Sequence, residues 1–95
     1  MHKYELTIVV NPNFDDEACK AEAGKVKADI EKFGGTVEKT DEWGRRRLAY
    51  EIEKLTEGYY VIFSFDAPPE TPGELESRLR INENLLRYLT VRVDE

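Results

Sequence analysis

Three consecutive arginines, Arg45-Arg46-Arg47, make the densest basic run of the chain, next to Trp43 and Gly44. In extended backbone they span about 10 Å, a reach over which guanidiniums fork onto successive phosphates through charge-assisted hydrogen bonds. A structural account competes with this one. Charges on an edge strand discourage edge-to-edge pairing, and Glu38, Glu42 and Glu51 stand near enough in sequence to pair with the arginines. A second set, Arg78, Arg80, Arg87 and Arg92, lies further along. Arg78 and Arg80 suit the solvated face of a helix. Arg87 and Arg92 flank Tyr88 in a strand-like pattern, and arginine interleaved with an aromatic is what RNA contacts by charge and stacking use.

Other chemistries find little material. Cys19 is the only cysteine and His2 the only histidine, which excludes an intramolecular disulfide, a zinc site and a histidine-dependent triad. Cys19 falls on an apolar helical stripe, as a small buried hydrophobe does. Asp15, Asp16 and Glu17 stand where the first turn of a helix favours acids, which accounts for them without a metal ion. Residues 11 to 16, Asn-Pro-Asn-Phe-Asp-Asp, carry acids that would repel a phosphate substrate, so a phosphohydrolase is a distant reading. Glu57 to Ser64 invites comparison with the third-strand signature of RNA-recognition motifs. Gly58 and Tyr59 fit it, but Val61 and Ser64 stand where stacking aromatics are expected. Tyr60 is the aromatic left for an open sheet face.

The elements that must position these residues follow from hydrophobic period. Tyr4, Leu6, Ile8 and Val10 share one parity over residues 3 to 10, which predicts a strand with one face in the core. Asn11-Pro12-Asn13 breaks it, and Asp15 is placed to N-cap a helix whose stripe is Cys19, Ala23, Val26, Ile30 and Phe33, ended by Gly34-Gly35. A long strand from about Thr36 to Ile52 changes apolar parity between Trp43 and Leu48, so one residue must be inserted, with Gly44 the natural bulge. Lys54 to Gly58 is expected to form a short hairpin loop. Tyr59 to Phe65 is apolar on both parities, as in an inner strand. Thr71-Pro72-Gly73-Glu74 has the form of a capping box, opening a helix that buries Leu75 and Leu79. A last strand runs from about Leu85 to Val93, with Leu89, Val91 and Val93 alternating with Tyr88, Thr90 and Arg92.

This order predicts an α+β fold: ferredoxin-like βαββαβ, a four-stranded antiparallel sheet with two helices on one face, strands one and three inside. At 95 residues, it is expected to be a single domain over 1–95. With 40% hydrophobic and 36% charged residues, the chain suits a globular protein. Its longest apolar runs are strand-sized and its start lacks the apolar core of a secretory signal, so a cytoplasmic protein is expected, with no membrane partner. The net charge of −6 weighs against nucleic acid only on average. Screening over about 8 Å lets a local basic cluster meet phosphate while acids elsewhere face solvent.

Residues 1 to 12, Met-His-Lys-Tyr-Glu-Leu-Thr-Ile-Val-Val-Asn-Pro, residues 43 to 52, Trp-Gly-Arg-Arg-Arg-Leu-Ala-Tyr-Glu-Ile, and residues 79 to 88, Leu-Arg-Ile-Asn-Glu-Asn-Leu-Leu-Arg-Tyr, resemble the bacterial small-subunit ribosomal protein S6 family. The similarity runs along essentially the whole chain. The central segment is its most specific part, because the fold does not demand glycine and arginines before Leu-Ala-Tyr. Glu51 stands where members often carry proline. The resemblance implies a cytoplasmic ribosomal protein with no catalysis and no cofactor. It also implies binding to small-subunit ribosomal RNA as a heterodimer with ribosomal protein S18, which would supply much of the positive charge. Arg45, Arg46, Arg47 and Arg87 become the leading candidates for RNA or partner contacts, with Arg92 and Lys3 behind them and Tyr60 from the open face. The rival is a small ferredoxin-like regulatory or ligand-binding domain that homodimerises through that face.

Overall fold

A computed structural model describes residues 1–52 and 54–93. The elements are β1 (His2–Val10), α1 (Asp16–Lys32), β2 (Thr36–Ile52), β3 (Leu55–Ala67), α2 (Thr71–Arg80) and β4 (Leu85–Arg92). The strands form one antiparallel sheet in the order β2-β3-β1-β4, with β1 and β3 inside as the crossovers require. Both helices lie on one face. Between them and the sheet, Leu6, Ile8 and Val10 of β1 and Val61, Phe63 and Phe65 of β3 meet Cys19, Val26 and Ile30 of α1 and Leu75 and Leu79 of α2. Burial pushes up the pKa of the Cys19 thiol, so the group stays protonated inside the core.

Local chemistry sets the element ends. The Ala18 N–H donates to Asp15 Oδ1 at 2.8 Å, the expected N-cap of α1, and Gly34 follows its last turn with φ +94°. The expected capping box of α2 does not form. That helix begins at Thr71 after Glu70, with Pro72 in its first turn and no side-chain cap. The buried Thr71 hydroxyl instead donates across the fold to the Phe33 carbonyl at 2.6 Å. Phe33 caps the C-terminal end of α1, where carbonyls lack helical partners. Satisfying one in the interior is worth more than a solvent-exposed cap bond.

The β2–β3 hairpin is tighter than the sequence suggested. Leu55 pairs with Ile52, so Leu55 to Gly58 belongs to β3 rather than to a loop. The predicted bulge is present: the register shifts between Glu42 and Gly44, and Gly44 takes φ +75°, a left-handed conformation that a side chain would strain. Two further shifts, between Val37 and Lys39 and between Arg47 and Ile52, were not foreseen. Together they bend β2. Seventeen residues of straight strand would span roughly 53 Å, more than the protein's 38 × 24 × 23 Å envelope holds along any diagonal.

On β4 the pairings Ile8 with Tyr88 and Leu6 with Thr90 turn Tyr88 and Thr90 towards the helices, and Leu89 and Val91 to the open face. The Thr90 hydroxyl is buried there with no hydrogen-bond partner among the described residues. A buried hydroxyl without a partner costs stability, and valine has nearly the same shape. Thr90→Val should therefore raise the unfolding free energy by about 1 kcal/mol in urea titration. A loss of stability would mean that the hydroxyl is satisfied in solution.

Candidate nucleic-acid interface

Strand alternation divides the arginine triplet. Arg45 pairs with the inward-facing Tyr59, Arg46 with Gly58 and Arg47 with Glu57, so Arg46 takes the opposite side from its two neighbours. Arg45 is held on the helix side. Its Nε bonds Asp16 Oδ1 at 3.1 Å, its Nη1 bonds the Pro12 carbonyl at 2.7 Å, and its Nη2 donates to the Phe14 carbonyl. The same guanidinium lies 3.9 Å from Glu57. Three of its donors are thus spent on tying the edge strand to the β1–α1 loop, and the partners are Asp16 and Glu57 rather than the glutamates nearest in sequence. Arg47 is exposed and makes no ion pair among the described residues.

Arg46 belongs to a stack. Its guanidinium lies 5.6 Å from the Trp43 ring centroid, and its Nε donates to the Trp43 carbonyl at 3.3 Å. Trp43, the extra residue at the bulge, stacks on Tyr60 with ring centroids 6.4 Å apart and planes 25° from parallel. Tyr60 stands on the open face, as expected for that aromatic, while Tyr59 beside it is buried in the core.

Arg87 lies on the same face, opposite Val9 on β1, which in turn pairs with Tyr60 on β3. Its guanidinium covers the Tyr50 ring at 5.1 Å and its Nη1 donates to the Tyr50 hydroxyl. Tyr50 is on β2 and Arg87 on β4, three strand spacings or about 14 Å apart in a flat sheet. They meet only because the bent hairpin curls over this end of the open face. Val9, Thr7, Tyr60, Leu89 and Arg87 line a shallow hollow beneath it.

Lys3 and Arg92 lie at the other end. Lys3 Nζ bonds Glu38 at 3.1 Å and Asp66 at 3.2 Å, and these bonds raise its pKa. Arg92 pairs with Tyr4, placing it on the helix side of the β4 edge. The structure therefore gathers Arg46, Arg87 and Tyr60 on one face, leaves Arg47 exposed on the opposite side of the strand from Arg46, and places Arg45, Lys3 and Arg92 elsewhere. No group of histidine, cysteine, aspartate or glutamate suited to a metal occurs among the described residues.

The family model of ribosomal protein S6 matches residues 3–92. A small ribosomal subunit protein bS6 of Clostridium novyi is 48% identical over the full length of both chains. The chain belongs to the ribosomal protein S6 family. Another relative of that name, from Clostridium beijerinckii, is 48% identical over 96% of each chain. The crystal structure of 30S ribosomal protein S6 from Thermotoga maritima superposes with a TM-score of 0.93 at 31% identity, covering 97% of this chain and 87% of that one. The P2 domain of the chemotaxis kinase CheA shares the fold alone, with a TM-score of 0.65 at 14% identity. Membership in the S6 family places the chain in the bacterial small ribosomal subunit, in the cytoplasm, as the sequence resemblance implied.

Sequence reasoning missed two residues of this S6-family surface. Tyr50 shares the even apolar parity of Leu48 and Ile52 in β2, yet it is exposed and holds Arg87. Trp43 was noted only as a neighbour of the arginines, although a lone tryptophan on an edge strand beside a bulge is itself a signal for a surface role.

Proposed function

We propose that the protein is a structural, non-catalytic component of the small subunit that binds ribosomal RNA together with ribosomal protein S18, through the open face of its sheet and the hairpin that overhangs it. The observation that carries this reading is the cluster of Arg46 and Arg87 with Trp43, Tyr50 and Tyr60 at one end of that face, with exposed Arg47 on the other side of the same edge strand. Arginines there can meet phosphates although the chain's net charge is −6, because charges further away are screened. The other part of the open face suits a protein. Leu89 is 63% exposed and Val91 45%, two apolar side chains on the β4 edge opposite Thr7 and Glu5 of β1 that a partner would cover. Arg45 serves the site indirectly by bracing the edge strand. Lys3 and Arg92 take peripheral contacts.

The test is binding to a small-subunit junction RNA, with and without S18, across a salt series. Tight binding is expected only with S18, with log affinity falling by roughly 0.7 to 0.9 per neutralised phosphate for each unit of log salt. Arg47→Ala should weaken binding threefold to tenfold, and reduce the salt slope by about one. An unchanged slope in Arg46→Ala, Arg47→Ala and Arg87→Ala alike would remove this cluster from the RNA contact. Absence of RNA binding even with S18 would favour the homodimerising ligand-binding domain.

A further inference from the structure

Trp43 is 52% exposed, although an indole of its size buries well and this chain has an apolar core to receive it. The bulge keeps it out. As the extra residue between the Glu42–Val61 and Gly44–Tyr60 pairs, it leaves the inward–outward alternation and lies on the open face against Tyr60. Two aromatic planes 25° apart make a surface of the kind on which a flat π-system stacks. The surroundings select which one. Arg46 lies over the indole, and Arg87, which covers Tyr50, lines the same hollow as Tyr60. A flat ligand that carries negative charge on its flanks fits this setting, and a nucleotide answers that description.

We propose that Trp43, backed by Tyr60, is the stacking platform for an unpaired nucleobase of the bound RNA. The proposal rests on the RNA-binding reading above and adds that this site takes single-stranded or flipped-out nucleotides rather than helical RNA. Arg46 is attached by one hydrogen bond to the Trp43 carbonyl and by its position over the ring. Both are given up at little cost by a long, exposed side chain. On binding, Arg46 swings from the indole to the phosphate next to the stacked base, so a cation–π contact within the protein is exchanged for one base stack and one charge-assisted hydrogen bond. Tyr60, held in the third strand, does not move and keeps the indole in place. A base paired within a duplex cannot reach the platform, because both its faces are already stacked.

The indole reports on its own occupancy, since Trp43 is the only tryptophan. Titration of the whole chain with a short single-stranded oligoribonucleotide should quench its emission, and the blunt duplex of the same sequence at equal phosphate concentration should not. On the junction RNA with S18 present, Trp43→Leu should bind about tenfold more weakly, with an unchanged salt slope because no phosphate contact is lost. Trp43→Phe, which keeps a stacking ring, should stay within about threefold of the parent chain. Because the indole is outside the core, both variants should fold. If the unsubstituted chain binds the junction RNA and Trp43→Leu binds it equally well, the stacking site is wrong while the broader function stands. If the unsubstituted chain does not bind, the broader reading fails and the platform falls with it. Equal quenching by single strand and duplex would also overturn the proposal. So would loss of S18 binding in Trp43→Leu together with no quenching of the parent chain by single-stranded RNA, because the aromatic pair would then be a protein anchor.

Discussion

Glu22→Ala should lower the unfolding free energy by about 2–3 kcal/mol at neutral pH, an unusually large effect for removing a charged side chain from a helix. Glu22 is on α1 but only 6% exposed. Its carboxylate accepts from Asn84 Nδ2 at 2.8 Å, Asn82 Nδ2 at 3.2 Å and Lys25 Nζ at 3.2 Å. Asn82 and Asn84 form the turn between α2 and β4, and the Asn84 carbonyl accepts from the Asn11 N–H at 2.9 Å, at the end of β1. One carboxylate therefore fixes the turn that delivers β4, and Arg87 with it, to the sheet edge. Hydrogen bonds to a charged group are worth about 1.5–3 kcal/mol each, and truncation also leaves two half-buried amides without their acceptor.

The effect has a defined pH dependence. Burial alone would raise the Glu22 pKa, but the bonds from Asn82, Asn84 and Lys25, with the charge of Lys25, outweigh it and hold the carboxyl below its usual range. A depressed folded-state pKa stabilises the fold above the unfolded value of about 4.3, and that stabilisation is lost as pH falls through the folded value. Glu22→Gln keeps the shape and one carbonyl acceptor but does not titrate. Its stability deficit relative to the parent chain should therefore shrink on acidification through this window. A deficit that stays constant from neutral pH down to about pH 3 would show that the carboxylate charge contributes nothing.

Glu22 also marks where the sequence stopped being legible. Hydrophobic patterning with its breaks marked all six elements, most clearly β1 and α1, where alternation and the Cys19-to-Phe33 stripe each reflect one buried face. The bulge beside Gly44 is present, but the apolar parity of β2 does not account for it: the shifts at Val37/Lys39 and Glu42/Gly44 cancel, so Val37 and Arg45 share the inward parity while Trp43 and Tyr50 are exposed. Nothing in the period of α1 distinguishes a glutamate that will accept from a turn 60 residues away from one that faces water. Thr71 failed for the same reason. Its local pattern matched a capping box, but tertiary contact with Phe33 took the hydroxyl. The arginine triplet was legible as a basic cluster and not as a geometry. Alternation splits it, and only the folded loop 11–16 shows that Arg45 is already engaged. The curl of the hairpin, which brings Tyr50 to Arg87, depends on register shifts that carry no compositional mark.

Gly58→Ala should destabilise the protein by about 2–3 kcal/mol, through a single methyl group. Val9 points to the open face of β1, yet it is only 4% exposed, because the returning hairpin roofs it. Gly58 is part of that roof. A Cβ built there would fall 2.3 Å from Val9 Cγ1, with Leu48 Cδ2 at 3.5 Å on its other flank. A β-branched side chain in a strand has few rotamers to retreat into, and Leu48 closes the remaining space, so the backbone of the hairpin must lift. That movement separates Tyr50 from Arg87 as well. The variant should accordingly lose stability in urea and also weaken RNA binding, although Gly58 offers no side chain to any ligand. Removing the obstructing methyls identifies the cause: in Gly58→Ala/Val9→Ala, the penalty of the first change should fall by more than half, measured against Val9→Ala alone in a double-mutant cycle. If the two penalties simply add, the clash is relieved in solution by another route, and the hairpin is not held down by this contact. If they do not add, the smallest residue in β3 sets how closely the arginine-bearing hairpin approaches the open face, and with it the shape of the surface offered to RNA.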